Sequence, residues 1–227
     1  RATTDIDGRL LGLPLALVFV EAGFPVIGLD LDPVKVDALN RGESYIKHIG
    51  SERVANALKT GRLRASADFD ELVSCDAVLI CVPTPLGHHR EPDLSFVLDS
   101  SRAVAKRLRK GQLVVLESTT YPGTTDEDVL PVLEATGLKT PDDFLLAFSP
   151  EREDPGNPKF HTKIIPKVVG GVNAPSTEAA VALYELAIDT VVAVSSARVA
   201  ESSKLLENIF RSVNIALVNE LAQLCDR

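Results

Sequence analysis

Methionine is absent from these 227 residues, cysteine occurs only three times, and cationic side chains are outnumbered. A chain of this length ordinarily carries several methionines, so residue 1 reads as lying inside a longer native sequence. The cysteines, Cys75, Cys81 and Cys225, are widely spaced and odd in number. That excludes a disulfide framework and offers no zinc-ligand spacing, so reduced thiols in a cytoplasmic protein and no metal site are expected. With 24 Lys+Arg against 32 Asp+Glu the formal net charge is −8. Phosphate-backbone binding needs a basic face, so no nucleic-acid partner is expected. The apolar stretch at 10–20 is too short to span a bilayer and has no basic region before it, so no membrane partner is expected either. No internal repeat or low-complexity segment is visible.

What is present is an alternation. The runs PVIGLD (25–30), AVLICV (77–82), QLVVLE (112–117), DFLLAF (143–148), KVVG (167–170) and TVVAV (190–194) read as buried strands. Their nearly unbroken apolar character suits parallel strands covered on both faces. Helical patterns lie between them, at 12–22, 33–40, 51–60, 94–108, 124–136 and 176–187. The alternation predicts an α/β fold, a doubly wound parallel sheet of the Rossmann-like kind, with right-handed crossovers. From about residue 196 one long helical pattern replaces it and meets neither a glycine cap nor a proline stop at Asp226 and Arg227. The expected organisation is a dinucleotide-binding domain over 1–195, then the start of a connector helix over 196–227.

Ligands of such sheets bind at the carboxyl ends of the strands. Asp30 ends the second strand run, about twenty residues after the first helix opens, where a carboxylate can take the adenosine ribose and select NAD. Either Asp30 or Asp32 could instead cap the helix at Pro33; Asp32 suits the cap better and leaves Asp30 to the ribose. The glycine fingerprint that should precede Asp30 is degraded. Gly12 suits the third glycine, but Asp7 and Arg9 occupy the other two positions, and Gly8 is out of phase. Nor does RATTDI (1–6) read as a buried strand.

Lys204, Asn208 and Arg211 follow i, i+4, i+7 spacing and share one helix face, able to gather around an anion or simply to face solvent. Glu151 follows a strand and a proline, where it could meet a substrate or belong to an ordinary charged loop with Glu153 and Asp154. Thr119 could bind a ligand or satisfy its own turn. Thr84 is held between Pro83 and Pro85, a rigid setting that suits a cofactor-facing loop. His88 and His89 read as an exposed loop without further metal ligands, and Cys81 as core packing.

Seven segments in order carry a resemblance: GLPLAL (12–17), VIGLDLDP (26–33), LNRGESYI (39–46), CVPTPL (81–86), ESTTYPGT (117–124), FSPEREDPGN (148–157) and KLLENIFRSVNIALVNELA (204–222). The chain resembles the UDP-glucose/GDP-mannose dehydrogenase family, and its SPERxxPG form is most similar to the branch acting on UDP-N-acetylhexosamines. The resemblance implies two NAD-dependent oxidations of a sugar C6 alcohol to a uronic acid, through a cysteine-bound thiohemiacetal and thioester. It implies that Asp30 and Lys35 hold the adenosine ribose and that Pro83 and Thr84 lie along the cofactor. Thr119 would position the reactive water and the nicotinamide, Glu151 would be the acid/base group, and Lys204 and Asn208 would stabilise the oxyanion. Arg211 would join them towards the UDP-sugar. The family's cysteine and UDP-sugar-binding domain lie beyond Arg227, so the 227-residue chain alone is expected to be inactive. A homodimer or higher homo-oligomer through the last helix, along Ile209, Val213, Leu217 and Leu221, is implied as well. The alternatives are a UDP-glucose or GDP-mannose dehydrogenase, a non-catalytic dinucleotide-fold module, and an alcohol dehydrogenase of the β-hydroxyacid type.

Overall fold

The structure, a computed structural model, describes residues 2–4, 12–46, 49–85, 92–151 and 163–226. Eight strands form the sheet: β1 (Ala2–Thr4), β2 (Val26–Leu29), β3 (Leu63–Ser66), β4 (Ala77–Ile80), β5 (Gln112–Leu116), β6 (Phe144–Phe148), β7 (Lys167–Gly171) and β8 (Val191–Ala193). Their spatial order is β3-β2-β1-β4-β5-β6-β7-β8. The first six run parallel in the order 3-2-1-4-5-6 of a doubly wound dinucleotide fold. The expected α/β Rossmann-like architecture is therefore present. β7 departs from an all-parallel sheet, pairing antiparallel with β6, and β8 runs parallel to β7.

The helices are α1 (Gly12–Glu21), α2 (Pro33–Asn40), α3 (Ser51–Lys59), α4 (Ser95–Ala105), α5 (Leu130–Glu134), α6 (Ala174–Glu185) and α7 (Ala197–Cys225). Two apolar layers cover the sheet. Leu15, Leu17 and Phe19 of α1 pack with Val54 of α3 and Tyr184 of α6 on one face. On the other, Val97 and Val104 of α4, Leu133 of α5, and Ala197 and Ala200 of α7 meet Ile27, Val114 and Phe148. Continuous burial of β4 and β5 on both faces explains why their sequences do not alternate.

Three expectations need correction. The segment at 1–6 contains a strand after all: β1 pairs with β2 on one side and β4 on the other. Two ready-made neighbours supply its ladder whatever its own propensity, which is why Ala-Thr-Thr gave no signal. The strand β3 escaped notice because it is a short edge strand, LRAS, with only Leu63 buried. The helix expected over 124–136 is two pieces, a π-helical turn at Thr124–Val129 and then α5.

The last helix is unbroken for 29 residues, and its Ser196 cap accepts from the Val199 amide. It lies close against β7 because Gly170 has no side chain: a Cβ there would collide with the Ser196 carbonyl. Burial stops after Glu201, and beyond it Leu206, Phe210, Val213 and Val218 are all exposed. No helix among the described residues is long and apolar enough to cross a membrane.

Candidate active site at the carboxyl edge of the sheet

Asp30 follows β2 directly and is buried, with 5% exposure. One carboxylate oxygen accepts from the Asp32 amide at 2.8 Å, and the other lies 3.4 Å from the Lys35 ammonium. Asp32 caps α2, accepting from the Val34 amide at 2.9 Å, as its position predicts. Asp30 is thus not free, as the sequence suggested, but anchored by its own turn, and each oxygen keeps a second lone pair for a ligand hydroxyl. Lys35 sits 5.8 Å from the Tyr45 ring centroid, a cation–π contact that also steadies it.

Leu31, the residue after Asp30, opens onto a groove of about 360 Å³ that is also lined by Phe69, Phe96, Ser100, Asp99 and Arg107. Sequence reasoning missed it. The available signal was Leu31 itself, a large apolar residue between two aspartates that is 68% exposed. Phe69 and Phe96 can take a flat base there, one residue along the chain from Asp30, so the described residues suit the nucleoside end of NAD. Gly12 opens α1 and is buried. Asp7, Gly8 and Arg9, like His88, His89, Glu153 and Asp154, lie outside the described residues.

Further along the edge, the loops after β4 and β5 are tied together. The Ser118 hydroxyl accepts from the Val82 amide at 3.1 Å and donates to the Val82 carbonyl at 2.7 Å. The Thr84 hydroxyl donates to the Thr119 carbonyl at 2.5 Å. Pro83 and Thr84 are half-buried, and the Thr119 side chain is exposed at the edge. Glu151 lies just beyond β6, buried at 5%. The Lys204 ammonium donates to the Glu151 carbonyl at 2.7 Å, which brings α7 against the β6 end. Thr84 is therefore joined to Thr119, and Lys204 to Glu151. Asn208 and Arg211 are not drawn into that contact: they lie on the exposed continuation of α7, with Ser212 and Ile215. Among the described residues no cluster of His, Cys, Asp or Glu is arranged to hold a metal ion.

The densest charge at this edge was not anticipated. Glu117, Lys167 and Tyr184 are almost wholly buried. The Lys167 ammonium is 2.5 Å from one Glu117 oxygen and 3.8 Å from a Glu151 oxygen. The Tyr184 hydroxyl donates to the other Glu117 oxygen. Burial pulls the Lys167 pKa down, but the Glu117 and Glu151 charges outweigh it and hold the pKa above the usual lysine value. Burial raises the Tyr184 pKa well above its usual value, and Glu117 adds to this.

A second buried carboxylate, Glu201, faces the loop after β5. It accepts from the Gly123 amide at 2.6 Å, the Thr125 amide at 2.9 Å and the Thr125 hydroxyl at 2.7 Å. Burial raises its pKa, and these three donors only partly offset the rise. Glu201 thereby fastens the first turns of α7 to the segment that follows Thr119. In sequence it reads as one more helical glutamate.

The NAD binding domain of the UDP-glucose/GDP-mannose dehydrogenase family matches residues 9–188, and the central domain of the same family matches residues 198–227. The UDP-N-acetyl-D-glucosamine 6-dehydrogenase of Pseudomonas aeruginosa is 36% identical over 96% of this chain and 51% of its own length. The structure of a UDP-N-acetylmannosamine dehydrogenase from Pyrococcus horikoshii superposes with a TM-score of 0.93 at 35% identity, over 99% of this chain and 53% of that one. A ternary complex of GDP-mannose dehydrogenase from Pseudomonas aeruginosa gives a TM-score of 0.89 at 26% identity, over 97% of this chain and 52% of that one. The chain spans about half the length of the curated relatives it matches. It belongs to the UDP-glucose/GDP-mannose dehydrogenase family.

Proposed function

We propose that this chain is the cofactor-binding portion of an NAD-dependent nucleotide-sugar 6-dehydrogenase that converts the C6 alcohol of a UDP-N-acetylhexosamine, UDP-N-acetylglucosamine first among them, to the uronic acid. Residues 1–195 are the dinucleotide domain and 196–227 the start of the connector. The observation that carries the reading is the joining of α7 to the sheet edge, where Lys204 holds the Glu151 main chain. It supports the reading because it brings a cation to Glu151, whose carboxylate shares the Lys167 ammonium with Glu117, two residues before Thr119.

NAD, when bound, accepts the hydride from the sugar carbon. The residues of this chain do the rest of the positioning. Asp30 and Lys35 receive the adenosine ribose, with the adenine in the Leu31–Phe96 groove. A carboxylate at Asp30 repels a 2′-phosphate and so disfavours NADP. Gly12 faces the pyrophosphate at the α1 N-terminus. Pro83 and Thr84 line the cofactor, and Thr119 sets the water at the nicotinamide end. Glu151 takes up and returns the proton of that water. Lys204 and Asn208 face the oxygen that becomes negative, and Arg211 lies further along the same helix face towards the UDP-sugar. Two chains pair through the apolar stripe of Ile209, Val213, Leu217 and Leu221, and the protein acts in the cytoplasm.

The complete gene product should reduce two NAD per UDP-N-acetylglucosamine oxidised, in preference to UDP-glucose and GDP-mannose. The 227-residue chain by itself should not turn over. Among its cysteines Cys75 and Cys81 are buried, and exposed Cys225 lies at the far end of α7. Oxidation of no nucleotide sugar by the complete product would overturn the reading. Turnover by the 227-residue chain would overturn the part that assigns the nucleophile to sequence outside it.

A further inference from the structure

The antiparallel direction of β7 has a chemical consequence. In the parallel strands β1 to β6, the first residue of a strand lies at the edge opposite the ligand site. β7 runs the other way, so its first residue, Lys167, lies at the carboxyl edge. Its register with β6 pairs Ala147 with Gly171 and Phe148 with Gly170. Continued past the end of β6, this register sets Lys167 opposite Glu151. The side chains agree: the ammonium lies 3.8 Å from the Glu151 carboxylate and 3.5 Å from the Pro150 carbonyl.

Lys167 cannot swing elsewhere. Its ammonium is held by Glu117 at the end of β5, and Glu117 is in turn held by the Tyr184 hydroxyl from α6. The Lys167 ammonium also lies 5.2 Å from the Tyr184 ring centroid. Cys81, at the end of β4, is buried beside the group. On its outer side Glu151 has Lys204 of α7 on its carbonyl. A fully buried ammonium between two carboxylates is costly to assemble for stability alone, since apolar side chains of the same volume commonly serve as well or better. The position opposite Glu151 gives the arrangement another use.

We propose that Lys167 is a positioning residue for Glu151: clamped from behind by Glu117 and Tyr184, it fixes the orientation and charge of the carboxylate that handles the proton in the reaction. This rests on the role given to Glu151 above. Lys167 is assigned no contact of its own with the reactants and acts through Glu151. Glu117 shares the ammonium with Glu151, so its charge sets how strongly Lys167 draws on the working carboxylate.

The test uses the complete gene product and three variants, with kcat, KM for both substrates, the NAD dissociation constant and the thermal midpoint measured for each. Glu151→Gln is the reference for loss of the group, expected to lower kcat by roughly a hundredfold or more. Lys167→Met/Glu117→Gln removes both charges of the inner pair together, so one carboxylate, Glu151, loses the cation rather than the two that Lys167→Met alone would affect. It should keep its NAD affinity and KM values yet lose at least roughly tenfold in kcat, a fraction of the whole acid/base contribution. Glu117→Gln alone is the mildest change and leaves Lys167 charged, with Glu151 as its remaining carboxylate among the described residues. It should fold normally and lose several-fold in kcat at unchanged KM, because the ammonium then binds the working carboxylate too tightly. If Glu117→Gln and the double variant both keep kcat within twofold of wild type while Glu151→Gln is crippled, Lys167 is structural and the proposal is wrong. If Glu151→Gln itself keeps full kcat, the role of Glu151 fails first, and the proposal falls with it.

Discussion

Two carboxylates end strands on the same edge of the sheet, each with 5% exposure, and they are held in opposite ways. Asp30 is anchored locally: the Asp32 amide and the Lys35 ammonium that hold it lie within five residues of it. Glu151 is anchored from far along the chain, by Lys167 on β7 and by Lys204 on α7. A locally held carboxylate can be altered without disturbing the fold around it. A carboxylate held by a buried cation on another strand is coupled to the packing of the whole edge. The proposed adenosine end is thus a module within one turn, and the proposed reacting end depends on five elements meeting, β5, β6, β7, α6 and α7.

The largest effect that separates the two should come from Lys167→Met. It leaves Glu117 and Glu151 buried without their cation, so the folding stability of the chain should fall by about 3–5 kcal/mol. Urea unfolding would measure this, and adding Glu117→Gln should recover a large part of it. Full stability of the single variant would contradict long-range anchoring.

Asp30→Ala should show the opposite profile. Loss of hydrogen bonds from a charged acceptor should weaken NAD binding by about 1.5–3 kcal/mol, roughly ten- to a hundredfold, with little change in the unfolding midpoint. A destabilisation as large as that of Lys167→Met would erase the contrast.

How much of each site is legible in the sequence follows the same division. Asp30, the Asp32 cap and α2 are readable because their partners are neighbours in sequence, and the Pro33 start marks the boundary. The strand runs β4, β5 and β6 are readable because double-sided burial leaves them continuously apolar. Lys167 is not, since a lysine opening a short apolar run reads as the solvated end of a strand. Only the antiparallel turn of β7 reveals it as buried, and strand direction leaves no mark on a five-residue segment. Glu117 was swept into the strand run QLVVLE as its last residue, and Tyr184 into a helical pattern. The same holds for β1, whose neighbours make the strand. Thr119, Glu151 and Lys204 came from the family's motifs; residue chemistry alone left an ordinary loop or a solvated face as alternatives.

Asp32→Ala sharpens the comparison from within the local turn. Loss of the cap on α2 should cost about 1 kcal/mol of stability. NAD affinity should change less than for Asp30→Ala, since the two aspartates divide cap and ligand between them. An equal loss of affinity would show that the turn acts as one unit.

The smallest effect concerns Glu201, which holds α7 to the loop after β5. Burial, the largest cause, raises its folded pKa above the usual 4.5 despite the Thr125 and Gly123 donors. The folded state therefore binds its proton more readily than the unfolded state does. Stability contributed by this group should rise as pH falls through the raised pKa and level off below 4.5. Glu201→Gln lacks this proton, so wild type should gain on it progressively as pH falls from neutral to that value, by urea unfolding at each pH. A gap independent of pH would show that the carboxylate is not desolvated by the junction.

The central claim is that a dinucleotide site selective for NAD is built at this edge around Asp30. Calorimetric titration of the 227-residue chain with NAD, and separately with NADP, tests it most directly. The account predicts saturable binding of NAD that Asp30→Ala weakens at least roughly tenfold, and much weaker binding of NADP. Tighter binding of NADP, or no heat with either cofactor at millimolar concentration, would contradict it.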